Sequence, residues 1–269
     1  LLKPGFVLSL VTLVLPLAAP ASHGADAEAQ RYWPQWRGPA MTGVAPHARP
    51  PVEWSETKNV RWKVAIPGKG SATPVVWGDR LYVLTAVPGE KRAPAVAAPP
   101  AETPAAGGRP RLSTPPDASQ KFTVLAVRRS DGKILWERVV REELPHEGTH
   151  PTGTWASASA VTDGEIVFAH FGSRGLYALD ANGKVLWEKD LGDMNIKLAF
   201  GEGSSPALDR DRLFVQWDHE GDSFIVALDR KTGRELWRQK RDEKTSWATP
   251  LVVTHAGRTQ VVTSATNKV

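Results

Sequence analysis

Histidines and carboxylates cluster twice in this chain, and each cluster suggests a different chemistry. His146, Glu147 and His150 spell H-E-x-x-H, which on a helix would set two imidazoles on one face for a zinc ion, with the glutamate as base. The flanks argue against a helix. Pro145 precedes the motif, Gly148 sits inside it and Pro151 follows at once, so the i to i+4 geometry has no support. HEGTH therefore reads as a loop, and no metal-ligand set is assigned. The second cluster, Asp218, His219, Glu220, Gly221 and Asp222, offers oxygens of the kind calcium or magnesium prefers, but not at the spacing of a calcium-binding loop. Its default reading is a solvated loop between two strands, with Asp218 and His219 as candidates for the rim of a ligand site.

The chain has 269 residues and no cysteine. Disulfides, thiolate catalysis, zinc-thiolate sites and c-type haem attachment are thereby excluded, as is the lipid-bearing cysteine of a lipoprotein. The formal net charge of +5 is scattered, with basic residues alternating against acids as in Glu137-Arg138, Glu188-Lys189 and Arg234-Glu235. Without a basic block interleaved with aromatics, a nucleic-acid partner is not expected.

The elements that must carry these loops repeat. A glycine followed four residues later by a tryptophan recurs at Gly132/Trp136, Gly183/Trp187 and Gly233/Trp237, the tryptophans standing 51 and 50 residues apart. In each copy an apolar run meets an Asp-Gly, Asn-Gly or Thr-Gly turn and then a run alternating apolar with charged residues, the pattern of a β-hairpin. A second two-strand unit lies between these hairpins, at 71–87, 157–171, 203–217 and 247–264. Two hairpins per period of about 50 residues make a four-stranded antiparallel blade. The fold class is therefore all-β, a propeller of about three and a half blades in an incomplete ring. The glycines and tryptophans of the repeat are docking residues, since an indole on the last strand of a blade can pack against the next blade.

In a propeller the first strand of each blade lines the central channel. Ser71, Trp155, Ser204 and Trp247 stand at equivalent entrances to it, and the two tryptophans there are placed to stack on a planar ligand, a sugar ring or a partner's side chain. Residues 1–27 read as a signal peptide, with Lys3, an apolar core from Phe6 to Leu17 and small residues from Ala19 to Ala27. Export to the periplasm or cell envelope follows, with no spanning segment after its removal. Residues 28–58 form an N-terminal strap and 59–269 the partial propeller. Within it, 59–68 is expected to be a closing outer strand carrying Trp62. The stretch 88–119, rich in proline and alanine, is expected to be a disordered insert.

The repeat, with Ala178, Asp180, Gly183 and Trp187 and again Ala227, Asp229, Gly233 and Trp237, resembles the docking repeat of quinoprotein-type (PQQ-like) β-propellers. In the first blade Arg128 replaces the aspartate. WPQWRGP at 33–39 and FGSRGLYALD at 171–180 are similar to exported PQQ-like repeat proteins of environmental bacteria. The family's rings close with about seven or eight blades, which implies a truncated sequence here. Two lines of descent are implied. One is a non-catalytic scaffold like the propeller subunit of the outer-membrane β-barrel assembly machinery, binding envelope proteins or peptides and needing no cofactor. The other is a dehydrogenase of alcohols or sugars, which would need PQQ with calcium and, in many members, a vicinal cysteine pair absent here. A carbohydrate-binding propeller using Trp155 and Trp247 is a third reading.

Overall fold

The computed structural model describes residues 28–92, 113 and 116–269; the signal-peptide reading of 1–27 lies outside them. The first blade consists of β1 (Val75–Trp77), β2 (Arg80–Arg92), β3 (Ala118–Arg128) and β4 (Ile134–Glu143), paired antiparallel in that order. The second consists of β5 (Val161–Thr162), β6 (Ile166–His170), β7 (Leu176–Asp180) and β8 (Val185–Lys189). The third consists of β9 (Ala207–Asp209), β10 (Arg212–Trp217), β11 (Phe224–Asp229) and β12 (Glu235–Lys240). A further pair, β13 (Leu251–His255) and β14 (Arg258–Val262), makes half a blade. The result is an incomplete β-propeller.

Packing between blades explains the burial along each strand. Every residue of β6 is buried, because both faces of that strand meet a neighbouring blade. The outer strand β8 instead alternates half-buried with exposed residues, as expected where one face is solvated. One apolar cluster, including Leu84, Phe122, Val167 and Tyr177, fills the seam between the first and second blades. Another, including Phe168, Val215, Trp217 and Val226, fills the seam between the second and third.

The repeat residues have specific jobs. In each blade an alanine stands directly opposite the tryptophan across the outer ladder, Ala126 with Trp136, Ala178 with Trp187 and Ala227 with Trp237. A bulge follows the alanine each time, adding local twist at the same level of every blade. The aspartate closes the turn: one carboxylate oxygen of Asp180 accepts the N–H of Asn182 at 2.8 Å and of Lys184 at 3.0 Å. Asp229 does the same for Lys231 and Thr232.

Each tryptophan then reaches the turn of the following blade. Trp136 lies over Gly183, where an added Cβ would come within 2.8 Å of the ring, and its Nε1 donates to the Ala181 carbonyl at 2.9 Å. Trp187 lies over Gly233 in the same way and donates to Arg230 at 2.9 Å. Trp62 completes the series over Gly132, donating to Arg129 at 2.8 Å. All three glycines have positive φ, between 68° and 81°, so neither the backbone nor the space tolerates a side chain. Trp237 has no such turn beneath it among the described residues and is 40% exposed.

The segment 59–68 pairs in no ladder among the described residues; its Trp62 docks on the first blade, and its Pro67 carbonyl accepts from the Thr85 hydroxyl at 2.6 Å. One expectation needs correction. The insert is shorter than 88–119, because β2 runs on to Arg92 and β3 begins at Ala118. Ser119 and Gln120 are buried there, and the Ser119 hydroxyl donates to Glu142 at 3.0 Å. Ladder pairing through Pro88 opposite Gln120 overrides the local composition. The strap threads across inner strands, with Trp33 paired to Val76 and the Pro34 carbonyl accepting from Thr162 at 2.9 Å.

Candidate binding site on the connection face

Antiparallel blades divide the molecule into two faces. Tight turns such as Asp131-Gly132 and Asn182-Gly183 lie at one, together with the β1–β2 type turns. At the other lie the turns between second and third strands and the long segments leading from one blade to the next, 144–160, 190–206 and 241–250. HEGTH, the Asp218 loop and all four entrance residues belong to this connection face.

At its centre is Arg174, in a single 3-10 turn between β6 and β7. Its guanidinium is buried, with the side chain 6% exposed, and pairs with Glu143 from the end of β4 and Asp193 from the segment after β8. It also donates to His146 Nδ1 at 3.0 Å. His146 must then carry its proton on Nε2, which donates to the Met194 carbonyl at 2.7 Å. One arginine thus ties together the segments entering and leaving the second blade.

Beside it Ser173 donates to the Glu202 carboxylate twice, from its backbone N–H at 2.6 Å and its hydroxyl at 2.5 Å. The close approach requires Gly172, where a Cβ would fall within 1.4 Å of a carboxylate oxygen. Burial pushes the Glu202 carboxyl up to about 7, against the Ser173 hydrogen bonds and the positive charge of Arg174. His170, the last residue of β6, is 1% exposed and donates from Nδ1 to the Ser204 carbonyl at 3.1 Å. Burial pushes its imidazole down to about 4, so it is neutral at pH 7, and Nε2 has no partner. His170, Arg174, Glu202 and Trp155 together line a cavity of about 30 Å³, room for one or two water-sized groups.

HEGTH is a loop. Glu147 accepts the Ile196 N–H at 3.0 Å and its carbonyl accepts Trp155 Nε1 at 3.1 Å, while His150 bonds the Thr152 hydroxyl at 2.8 Å. No group of three or more metal-ligating side chains occurs among the described residues. The Asp218 loop is solvated only around Gly221 and Asp222, not at the two candidates Asp218 and His219. Asp218 is 1% exposed and is held by Arg241 at 2.8 Å and by Gln216 at 2.6 Å. His219 Nδ1 accepts the Asn195 N–H at 3.0 Å. These two side chains join the third blade to its neighbouring connections, a packing role that polarity alone does not reveal.

The entrance residues are brought to one region, in a different register from the expected one. A belt of hydroxyls sets the true equivalence: the Thr73 N–H donates to Ser159 at 2.9 Å, Ser159 N–H to Ser205 at 2.9 Å, and Ser205 N–H to Thr249 at 3.2 Å. Counting from the belt, Ser71 and Trp247 correspond to each other, but Trp155 lies two residues too early and Ser204 one too late. Ser71 is exposed and bonds Ala156 O at 3.0 Å. Ser204 is buried, donating to Ala248 O at 2.8 Å. Trp247 is 44% exposed and donates to Gly201 O at 2.7 Å.

Sequence reasoning missed Arg174, Glu202 and His170. Ser-Arg flanked by Gly172 and Gly175 was the available signal, because a turn with two glycines at positive φ brings backbone unusually close to its neighbours.

The sequence profile described as "Outer membrane protein assembly factor BamB" matches residues 51–195 and 120–269. The chain belongs to this PQQ-like propeller family. Among solved structures it is similar to BamB from Moraxella catarrhalis, at 21% identity and a TM-score of 0.33, over 51% of this chain and 38% of that one. It is also similar to quinohemoprotein alcohol dehydrogenase from Comamonas testosteroni, at 16% identity and a TM-score of 0.44, over 80% and 30%. A europium-containing methanol dehydrogenase gives 17% identity and a TM-score of 0.38, over 62% and 24%. The chain thus spans well under half the length of each. Among curated proteins, none matches this sequence. No described helix is long and apolar enough to cross a membrane.

A fused three-ring quinone does not fit the connection-face cavity, whose volume of about 30 Å³ holds little more than one hydroxymethyl group. Arg174, the cation there, is already paired with Glu143 and Asp193.

Proposed function

We propose that this protein is a non-catalytic, exported member of the PQQ-like propeller family that binds envelope proteins or peptides through its connection face. The observation that carries the reading is how the charges of that face are used. Arg174 is neutralised by Glu143 and Asp193, and Asp218 by Arg241, so the face is fixed by its own ion pairs. What remains outward includes the half-exposed indole of Trp247. Aromatic anchors beside internally satisfied polar groups suit protein recognition better than acid-base chemistry.

The test uses the full-length protein with its leader. Envelope proteins should co-purify with it by name in replicate cross-linking, and Trp247→Ala, with the unfolding midpoint reported alongside because the indole also donates to Gly201 O, should weaken that association severalfold. Incubation with pyrroloquinoline quinone and calcium should give neither saturable uptake nor dye reduction with alcohols. Quinone uptake with turnover would replace this reading with the dehydrogenase one.

A further inference from the structure

The cavity beneath the connection face holds two polar atoms with nothing to bond. His170 Nε2 and Arg174 Nε are both buried and unpartnered, in residues 1% and 5% exposed, and both residues line the same cavity. Their demands are opposite. With its proton on Nδ1, bonded to Ser204 O at 3.1 Å, His170 presents a bare lone pair at Nε2 and needs a donor. Arg174 Nε–H needs an acceptor. Unmet groups of this kind are costly when buried.

A hydroxyl is the smallest group that both donates and accepts, and a cavity of about 30 Å³ admits little more. An anion is disfavoured, because Glu143 and Asp193 already satisfy the arginine charge and Glu202 stands in the same wall. A sugar ring exceeds the cavity volume, and part of the wall, at Pro145, Trp155, Phe171 and Met194, is apolar. Size and that apolar portion together suit a single hydroxyl carried on a small apolar stem.

We infer that this cavity is a specificity pocket for the side chain of threonine or serine presented by an extended segment of a partner protein. The inference rests on the protein-binding reading and adds what the partner must show. The hydroxyl donates a hydrogen bond to His170 Nε2 and accepts one from Arg174 Nε–H. The threonine methyl lies against the apolar walls, and the peptide continues past Trp155.

The test titrates the full chain with N-acetyl-threonine N-methylamide, its valine isostere and methyl glucoside, followed by amide chemical shifts of residues lining the cavity. Threonine should bind saturably in the millimolar range, and valine about tenfold or more weakly, since a site built to bond a hydroxyl rejects the analogue lacking it. Ala158→Leu, which fills the cavity from its wall, should abolish binding, with the unfolding midpoint reported alongside. Should that variant not fold, the threonine-to-valine ratio in the native chain still decides. Equal binding of valine, preference for the glucoside, or no saturable shift, which would mean the cavity holds only water, would each overturn the pocket. Named partners that still co-purify after such a failure would leave the protein-binding reading intact with its contact elsewhere.

Discussion

On the face of tight turns the same contact is made three times, with an indole over a glycine in three successive seams, whereas on the connection face no two blades present the same residues. Between its second and third strands the second blade has Gly172-Ser173-Arg174 where the third has the longer loop from Asp218 to Ser223. Both faces are densely bonded. The repeated turn-face bonds run from an indole to the next blade's backbone carbonyl, whereas the connection face adds, among its hydroxyl and backbone bonds, ion pairs that occur once each, Arg174 with Glu143 and Asp193 and Arg241 with Asp218. The first arrangement depends only on shape and can be copied from blade to blade. The second depends on particular charges and is free to differ, which is where recognition can reside.

The largest expected effect breaks the repeated contact. Gly183→Val demands a side chain at φ +81° and 2.8 Å from the Trp136 ring. Left-handed backbone strain together with overpacking should cost about 3–5 kcal/mol, read as a shift in denaturant midpoint. A cost below about 1 kcal/mol would mean the seam yields and docking is not specific. Trp136→Ala against Trp237→Ala sharpens the same point within one residue type. Trp136 covers a glycine and donates to Ala181, so its loss should cost about 2–4 kcal/mol. Trp237 is 40% exposed with no glycine beneath it among the described residues, and its loss should cost under about 1 kcal/mol. Equal costs would show that the repeat stabilises its own blade, through the facing alanine, rather than the seam.

This contrast also explains what was legible in the sequence. The repeat could be read because glycine at positive φ, aspartate at a turn and a large aromatic are each scarce residue choices, and they recur at a fixed period. The bulge after Ala126, Ala178 and Ala227 was implicit in that spacing. The hydroxyl belt was hidden, since serine and threonine in SATP, SASA, GSSP and WATP are common residues and their partners lie 44 to 86 positions away. Trp155 and Ser204 were misplaced for that reason: the register of an inner strand is set by its bonds to the next blade. Arg174 was invisible because its partners, Glu143 and Asp193, come from segments on either side of the second blade.

A smaller effect is expected from the belt itself. Ser205→Ala removes the acceptor for the Ser159 N–H and should cost about 1–2 kcal/mol, because a buried donor is left unmet. Arg174→Met tests the other face at similar size. It strands Glu143 and Asp193, but these carboxylates are 33% and 62% exposed, so water recovers much of the loss and about 1–3 kcal/mol is expected. The belt variant should leave binding by the connection face unchanged, and the Arg174 variant should not. If both variants bind partners normally, the connection face is not the recognition surface.

The subtlest difference between the faces is the sign of their response to pH. On the turn face, hydrogen bonds from Thr232 hold the Asp229 carboxyl below its ordinary value, and the Lys133 N–H does so for Asp131. Their contributions are present above the usual carboxylate range and fade as pH falls through the lowered value. Glu202 behaves oppositely. Its carboxyl is raised from 4.5 to about 7 by burial, so the folded protein holds that proton more tightly than the unfolded chain does. The stabilisation is complete below about pH 4.5 and is lost as pH rises through about 7. His170, lowered from 6.5 to about 4, works against it between those limits, its contribution being present above 6.5 and lost as pH falls. The Glu202 slope is therefore isolated by subtraction. Glu202→Gln should gain stability relative to the native chain between about pH 5 and about pH 8, measured as the difference in denaturant midpoint, while Asp229→Asn should show no such gain. A Glu202→Gln difference that stays flat across that interval would mean the carboxyl is solvated in the folded protein, and the connection face would then be electrostatically no different from the turns opposite it.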